Sequence, residues 1–267
     1  MAWIERTANL RSDNLHTMRA ERNPNYGSGI YRRRIRLIHR PRQVVAELED
    51  TTHGFRLTLS HDNNKVTNIV AEPIRYPFDT CPGAVASLHP LIACPLDIDS
   101  NTMRSVLNPG RNCTHLYDLA LLALAHCGRA GQQRIYDISV PDECDSGTEI
   151  QVSCDGTALH KWHVTDHKIV QPTSLQGKPL MHGFYHWASA QFAGDALEAA
   201  LVLQRGYFVA QSRRYDYMNS AGRLAREDNM PEGACYTYSS GVVEHAVHTG
   251  SMGRDFTDTP DQLLKFV

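Results

Sequence analysis

Two blocks of alternating apolar and polar residues constrain the fold of this chain most. The first block covers residues 30–75 and the second covers residues 135–170. Side chains of a β-strand point alternately to the two faces of a sheet, so a period of two predicts strands with one buried face. Turn residues such as Asp62-Asn63-Asn64 and Asp155-Gly156 separate the segments. Each block is therefore predicted to form an antiparallel meander.

Apolar segments that follow each block predict helices. They cover residues 83–88, residues 116–127 and a long stretch from Phe184 to about Tyr217, in which apolar residues recur at helical spacing. The order of strands, helices, strands and helix predicts an α+β fold, with two antiparallel β-meanders packed against helices.

Composition predicts an ordinary globular protein. The chain has 267 residues, of which 42% are hydrophobic and 21% charged, with a formal net charge of -2. This balance excludes a disordered chain and gives no reason to expect a nucleic-acid partner. A polar arm is predicted at 1–29, before one compact domain at 30–267. That domain could consist of two similar halves, 30–128 and 129–267.

Cysteine usage and hydropathy predict a cytoplasmic protein. The seven cysteines are an odd number without a CxxC pair, which argues against a disulfide framework and a structural zinc ribbon. No window approaches the ~20 apolar residues of a membrane span, and the first residues lack the apolar core of a signal peptide. We therefore expect no membrane partner, and the chain could form a homo-oligomer.

The most informative polar cluster stands at the start of a predicted helix. Cys113, His115 and Asp118 lie in the segment from Asn112 to Leu119. Unpaired amide groups and the helix dipole at such an end lower the pKa of a thiol and keep a histidine neutral. These three residues are the first candidates for catalysis, although a buried cysteine and an acidic helix start are also common without function.

Further candidates lie in the connections of the first block. His53 precedes Gly54 between the second and third predicted strands, and Cys81 precedes a predicted helix that Pro82 opens. A histidine in such a turn can equally face solvent without a role. The arginines at 32, 33, 34 and 36 alternate with apolar residues, which predicts one face of a strand that could hold an anion.

Several motifs together resemble a known family. They include Glu49-Asp50 with His53, Arg75-Tyr76-Pro77 with Cys81, Asn112-Cys113-Thr114-His115-Leu116, Gly183-Phe184 with Trp187-Ala188, Cys235-Tyr236, and Gly250-Ser251 with Arg254-Asp255-Phe256. From about residue 30 onward the chain resembles the bacterial family catalogued as domain of unknown function 2889. It is also similar to oxygenases of the trans-anethole oxygenase type, which cleave the propenyl double bond of phenylpropenes such as isoeugenol to aromatic aldehydes.

The resemblance implies a cofactor and a small aromatic substrate. Bound iron is implied, as haem b, with non-haem iron, flavin or no cofactor as alternatives. A haem would be non-covalent because the chain has no CxxCH motif. His115 or His53 would then be the metal ligand, and Arg75 and Arg34 would contact the propionates. The implied substrate pocket consists of aromatic residues, namely Tyr76, Phe78, Trp187, Tyr207 and Phe208.

Three functions follow from these observations. The first is an oxygenase that cleaves an aryl alkene with bound iron and dioxygen. The second is a cofactor-free hydrolase or lyase acting on a small aromatic substrate. In that enzyme Cys113 or Cys81 would be the nucleophile or acid, His115 or His53 the base, and Asp118 the residue that orients the base. The third is a non-enzymatic protein that binds small molecules.

Overall fold

The computed structural model describes residues 21–129, 131–217, 219–250 and 253–266, so most of the predicted arm lies outside the described residues. Its strands are β1 (Ile30–Arg40), β2 (Gln43–Asp50), β3 (Gly54–His61), β4 (Val66–Arg75), β5 (Gln133–Pro141), β6 (Thr148–Cys154), β7 (Thr157–Thr165) and β8 (Lys168–Gln171). All eight belong to one antiparallel sheet in the order β4-β3-β2-β1-β5-β6-β7-β8. The α+β class is confirmed, but β1 pairs with β5, so the strands form one continuous sheet rather than two separate ones.

Four α-helices lie within the described ranges: α1 (Ser100–Val106), α2 (Thr114–His126), α3 (Phe184–Gln191) and α4 (Gly194–Ala210). The prediction of one long helix from Phe184 to Tyr217 is wrong. Phe192 and Ala193 are extended, and Gly194 has a φ of 55°, in the left-handed region that favours glycine. The predicted helix at 83–88 lies within a 3₁₀ helix, Cys81–Leu91, which contains Pro90.

Helices α2 and α4 cover the same face of the sheet. Helix α2 lies over β1, β2 and β3, whereas α4 lies over β5, β6 and β7. Alternate residues of β1, such as Tyr31 and Ile35, are buried beneath them. Gly206 permits α4 to approach β5, since a Cβ atom there would lie 2.6 Å from Cγ2 of Ile138. This face therefore holds the main hydrophobic core.

The opposite face of the first four strands is polar and carries ion pairs. Glu47 pairs with Arg36 and with Arg56 across neighbouring strands. Residues 253–266, here called the C-terminal strap, reach the same face. The Leu264 amide donates to Oε2 of Glu49 at 2.5 Å. The strap thus contacts β2 close to the turn between β2 and β3.

Candidate active site

Asp50, the last residue of β2, is the centre of a buried polar cluster. Its Oδ2 accepts hydrogen bonds from the Tyr31 hydroxyl and from Nη2 of Arg33, both at 2.7 Å. Its Oδ1 accepts from the amides of Thr52 and His53, both at 2.9 Å, which closes the turn after β2. Strand β1 supplies Tyr31 and Arg33 because alternate residues of a strand share a face. The side chain of Asp50 is fully buried, and so is the Arg33 side chain that pairs with it.

His53 extends this cluster. Its Nδ1 lies 3.0 Å from Oδ1 of Asp50. Because a carboxylate only accepts hydrogen bonds, this contact places the proton of a neutral His53 on Nδ1 and leaves the lone pair on Nε2. That Nε2 makes no hydrogen bond within the residues described. Burial alone would raise the pKa of Asp50, but the charges of His53 and Arg33 hold that pKa well below its usual range.

His115 stacks on His53. The two ring centroids are 3.7 Å apart with an angle of 27° between the planes. Nε2 of His115 lies 3.0 Å from Nη2 of Arg33, which donates to it. Burial, reinforced by His53 and Arg33, lowers the pKa of His115 to about 3. His115 is therefore neutral near pH 7, and its proton stands on Nδ1.

Helix α2 explains the position of His115. Cys113 is the N-cap residue of this helix, and His115 is its second residue. The prediction that His115 is held neutral agrees in direction with its lowered pKa, but the cause is burial, with His53 and Arg33, rather than the helix end. The sequence did not indicate that burial, since it depends on β1 and on the turn that carries His53.

A cavity of about 170 Å³ lies beside the two imidazoles. It is mostly apolar, and its lining includes His53, His115, Phe78, Phe208, Val209, Tyr215, Tyr217, Met230, Ala234 and Tyr238. A larger groove of about 720 Å³ adjoins it, because Thr52, Pro77, Ser212, Tyr215 and Tyr217 line both spaces. Apolar walls with a few convergent polar groups are typical of sites for small molecules.

Arg75 holds the turn that carries the site. Its guanidinium donates to the carbonyl oxygens of Thr51 at 2.6 Å, Asp50 at 2.5 Å and His53 at 3.3 Å. It also pairs with Glu49 at 3.0 Å. Arg75, predicted to contact a cofactor, thus orients the backbone of the Asp50–His53 turn.

The structure does not bring the other charged and thiol candidates to the site. Arg34 lies on the opposite face of β1 from Arg33 and pairs with Asp137 at 2.6 Å. Asp118 pairs with Arg205 at 3.4 Å instead of orienting His115. Such separations follow from the alternation of strand residues and from the path of α2, which turns Asp118 toward α4.

The two thiol candidates are buried. Cys113 packs in the main core. Cys81 belongs to a small second core cluster, where its Sγ lies 3.8 Å from the Thr237 hydroxyl. Burial raises the pKa of Cys81, with Cys113 and Cys235 adding to the shift. Its thiol therefore stays protonated, contrary to the behaviour of an activated nucleophile.

Two of the five predicted pocket residues line the cavity. Phe78 and Phe208 do so, whereas Trp187 packs against Phe184 and donates to the Pro179 carbonyl at 2.8 Å. The Tyr207 hydroxyl lies 2.8 Å from Nδ1 of His167, and Tyr76 packs at the edge of the cores. Trp187 lies on α3, a helix separate from α4, and Tyr207 leaves α4 in a different direction from Phe208 because successive helix residues are about 100° apart.

Sequence reasoning missed Asp50 and Arg33 as site residues. A signal for Asp50 was present, since Asp50-Thr51-Thr52-His53 has the spacing of an aspartate that caps its own turn. Arg33 also had a signal, because among the five arginines of β1 it alone is in phase with the apolar Tyr31 and Ile35, so the period of two places it on the apolar face. Only the register of β1 against β2 places Arg33 opposite Asp50.

Iron would fit these residues only after a rearrangement. Asp50, His53 and His115 offer three ligand atoms within 4.8 Å of one another, so they could hold a metal ion. As they stand, Nη2 of Arg33 is 3.0 Å from the Nε2 atom of His115 and 2.7 Å from the carboxylate. A cation would have to displace Arg33 from its position between His115 and Asp50. Haem does not fit, because a cavity of about 170 Å³ is too small to enclose it.

Comparisons with known proteins name no family. No family model matches the chain, and no curated protein matches it. Among the described helices, none is long and apolar enough to cross a membrane. The family resemblance drawn from motifs therefore stays a prediction.

Proposed function

We propose that this protein is a hydrolase or lyase that acts on small aromatic carbonyl compounds by general acid–base catalysis. The observation that carries the proposal is the 3.0 Å contact between Nδ1 of His53 and Asp50, beside an apolar cavity. A carboxylate on one imidazole nitrogen orients the ring and stabilises the imidazolium that forms when the other nitrogen takes a proton. His53 is thus suited to be the base.

The neighbouring His115 supplies a complementary group. Its neutral ring can donate a hydrogen bond from Nδ1 to a carbonyl oxygen and so stabilise the negative charge that develops there. His53 Nε2 would meanwhile remove a proton either from a water molecule, for hydrolysis, or from a carbon next to the carbonyl, for a lyase reaction. The stacking of the two rings at 3.7 Å is compatible with both acting on one small substrate.

A thiol nucleophile is not part of this proposal. Burial raises the pKa of Cys81, and Cys113 is packed in the core. Water or a substrate carbon therefore has to provide the proton that His53 removes.

The experiment uses two probes that each combine an aromatic ring with a carbonyl group. Hydrolysis of 4-nitrophenyl acetate reports whether the base activates a water molecule for attack on the carbonyl carbon. Exchange of the methyl protons of acetophenone in D₂O reports whether the base removes a proton from carbon. The wild-type protein is expected to catalyse at least one reaction, and His53→Gln is expected to lower that rate about 100-fold or more. His160→Gln is the matched control, since the buried His160 of β7 bonds to the Ala196 carbonyl of α4, away from the cavity.

Two results would contradict the proposal. Equal rates for wild type and His53→Gln would exclude His53 as the base. A wild-type protein that binds acetophenone but accelerates neither reaction would instead be a binding protein without activity.

The oxygenase remains a second candidate because two histidines and one carboxylate are the ligand set of many non-haem iron oxygenases. When bound, iron would supply the chemistry of dioxygen, and Asp50, His53 and His115 would hold it. The present position of Arg33 opposes that arrangement. Stoichiometric iron in the purified protein, together with cleavage of isoeugenol, would favour this candidate over the first.

A further inference from the structure

A second aspartate–histidine pair lies close to the cavity. Nε2 of His248 is 2.8 Å from Oδ2 of Asp228, and these residues are 2% and 0% exposed. The Tyr238 hydroxyl donates to the same oxygen at 2.6 Å, while Arg223 donates to Oδ1 at 2.5 Å. A buried carboxylate with three donors holds the imidazole in one orientation.

His248 contacts residues that line the same cavity as His53 of the Asp50–His53 pair. Its ring contacts Phe78, with centroids 4.5 Å apart, and stacks on Tyr217 at 6.0 Å. Both of these residues line the cavity beside His53. His248 itself lines the adjoining groove, as does Thr52, the neighbour of His53 in the chain. A small molecule that fills the cavity and extends into the groove would pass from one pair to the other.

We propose that His248 is a second catalytic residue, which donates a proton to the part of the substrate that lies in the groove. This inference rests on the proposed function. Because Nε2 bonds to Asp228, Nδ1 is the nitrogen that gains and loses the proton, and it has no hydrogen-bond partner within the described ranges. The titratable groups packed around this ring are Asp228, Tyr238 and Tyr217, with Arg223 behind Asp228.

In the hydrolysis of an aryl ester, His53 would act as the base and His248 as the acid. The oxygen of water attacks the carbonyl carbon as Nε2 of His53 takes a proton from that water. The bond from carbon to the leaving oxygen breaks, and this oxygen keeps the electron pair and receives the proton from Nδ1 of protonated His248. His53 ends protonated and His248 neutral, and exchange with solvent restores both. The favoured substrate class is an aromatic ester whose leaving oxygen needs a proton.

The test compares two esters that differ in this need. Phenoxide leaves poorly without a proton, whereas 4-nitrophenoxide leaves without one. His248→Gln is expected to lower kcat/KM for phenyl acetate about 100-fold and for 4-nitrophenyl acetate by less than about threefold. Tyr238→Phe is the matched control, because it removes another donor to the same oxygen of Asp228 and should lower both rates alike.

Equal losses for both esters in His248→Gln would assign His248 a merely structural role and overturn the inference. A second measurement applies even if the wild type hydrolyses neither ester, namely the NMR signals of the histidine rings during titration with acetophenone. The inference expects the rings of both His53 and His248 to respond. A response of His53 alone would overturn it while leaving the proposed function standing, and no response of either ring would overturn both.

Discussion

Arg33 and Arg34 are adjacent in β1 but lie on opposite faces of the sheet, one in the buried site and the other at the surface. Arg33 pairs with Asp50, and both side chains are almost completely buried. Arg34 pairs with Asp137, with both side chains partly exposed at 27% and 37%. Removal of one partner leaves an uncompensated charge only where the other partner is buried.

The first prediction compares Arg33→Leu with Arg34→Leu. We expect Arg33→Leu to lower the free energy of unfolding by about 3 to 5 kcal/mol, because Asp50 loses its buried partner. Arg34→Leu is expected to change it by less than about 1 kcal/mol, as for other exposed pairs. Urea unfolding of both variants checks this, and equal effects would show that Asp50 does not depend on Arg33.

The second prediction concerns the pH dependence that His115 confers. Its pKa falls from 6.5 to about 3 on folding. Between these values the unfolded chain binds a proton that the folded chain does not, so His115 makes stability fall as the pH falls. Relative to His115→Gln, the wild type should lose about 2 to 3 kcal/mol of unfolding free energy between pH 6.5 and 4.5. Parallel pH profiles of the two proteins in urea unfolding would contradict this shift.

At the scale of elements, sequence patterns predicted the strands and helices whose formation depends on residues close in the chain. The alternation from Tyr31 to Ile38 and the run from Leu116 to Cys127 fall within or beside β1 and α2, because period and composition set their local structure. The approach of His53 to His115 depends on α2 packing over β2 and β3, which no local pattern specifies. The pairing of Arg33 with Asp50 likewise depends on the register of β1 against β2, which no local pattern specifies.

The third prediction concerns the C-terminal strap. Phe256, 1% exposed, lies beneath the guanidinium groups of Arg75 and Arg254, and the Arg254 amide donates to the Thr51 carbonyl at 2.7 Å. Phe256→Ala should cost about 3 kcal/mol of strap docking and raise the rate of tryptic cleavage after Arg254 about 100-fold. Activity should fall as well, since the Asp50–His53 turn loses a support.

Phe192→Ala is the control for the strap, because that ring packs against His160 and Trp187 at the other half of the sheet. It should leave cleavage after Arg254 unchanged. Equal cleavage rates in Phe256→Ala and the wild type would show that the strap is held by other contacts.

At the scale of the whole molecule, one sheet organises the protein into three layers over its first half. Helix α2 lies on one face of β1, β2 and β3, and the strap contacts the other. The turn that ends β2 lies where these layers meet, with Arg75 and Glu49 on the strap side and His115 on the helix side. The Asp50–His53 pair is therefore held from both faces, as a preorganised acid–base site requires.

The most direct test of this account takes whichever of the two reactions the protein catalyses, hydrolysis of 4-nitrophenyl acetate or methyl-proton exchange of acetophenone. The rate is measured in protein dialysed against a chelator, with and without added Fe²⁺. Because Arg33 already occupies the space between His115 and Asp50, we predict that the metal-free protein retains its full rate. His53→Gln should lower that rate about 100-fold in the same buffer. A dialysed protein that is inactive and regains activity with stoichiometric iron would contradict acid–base catalysis and assign Asp50, His53 and His115 to a metal centre.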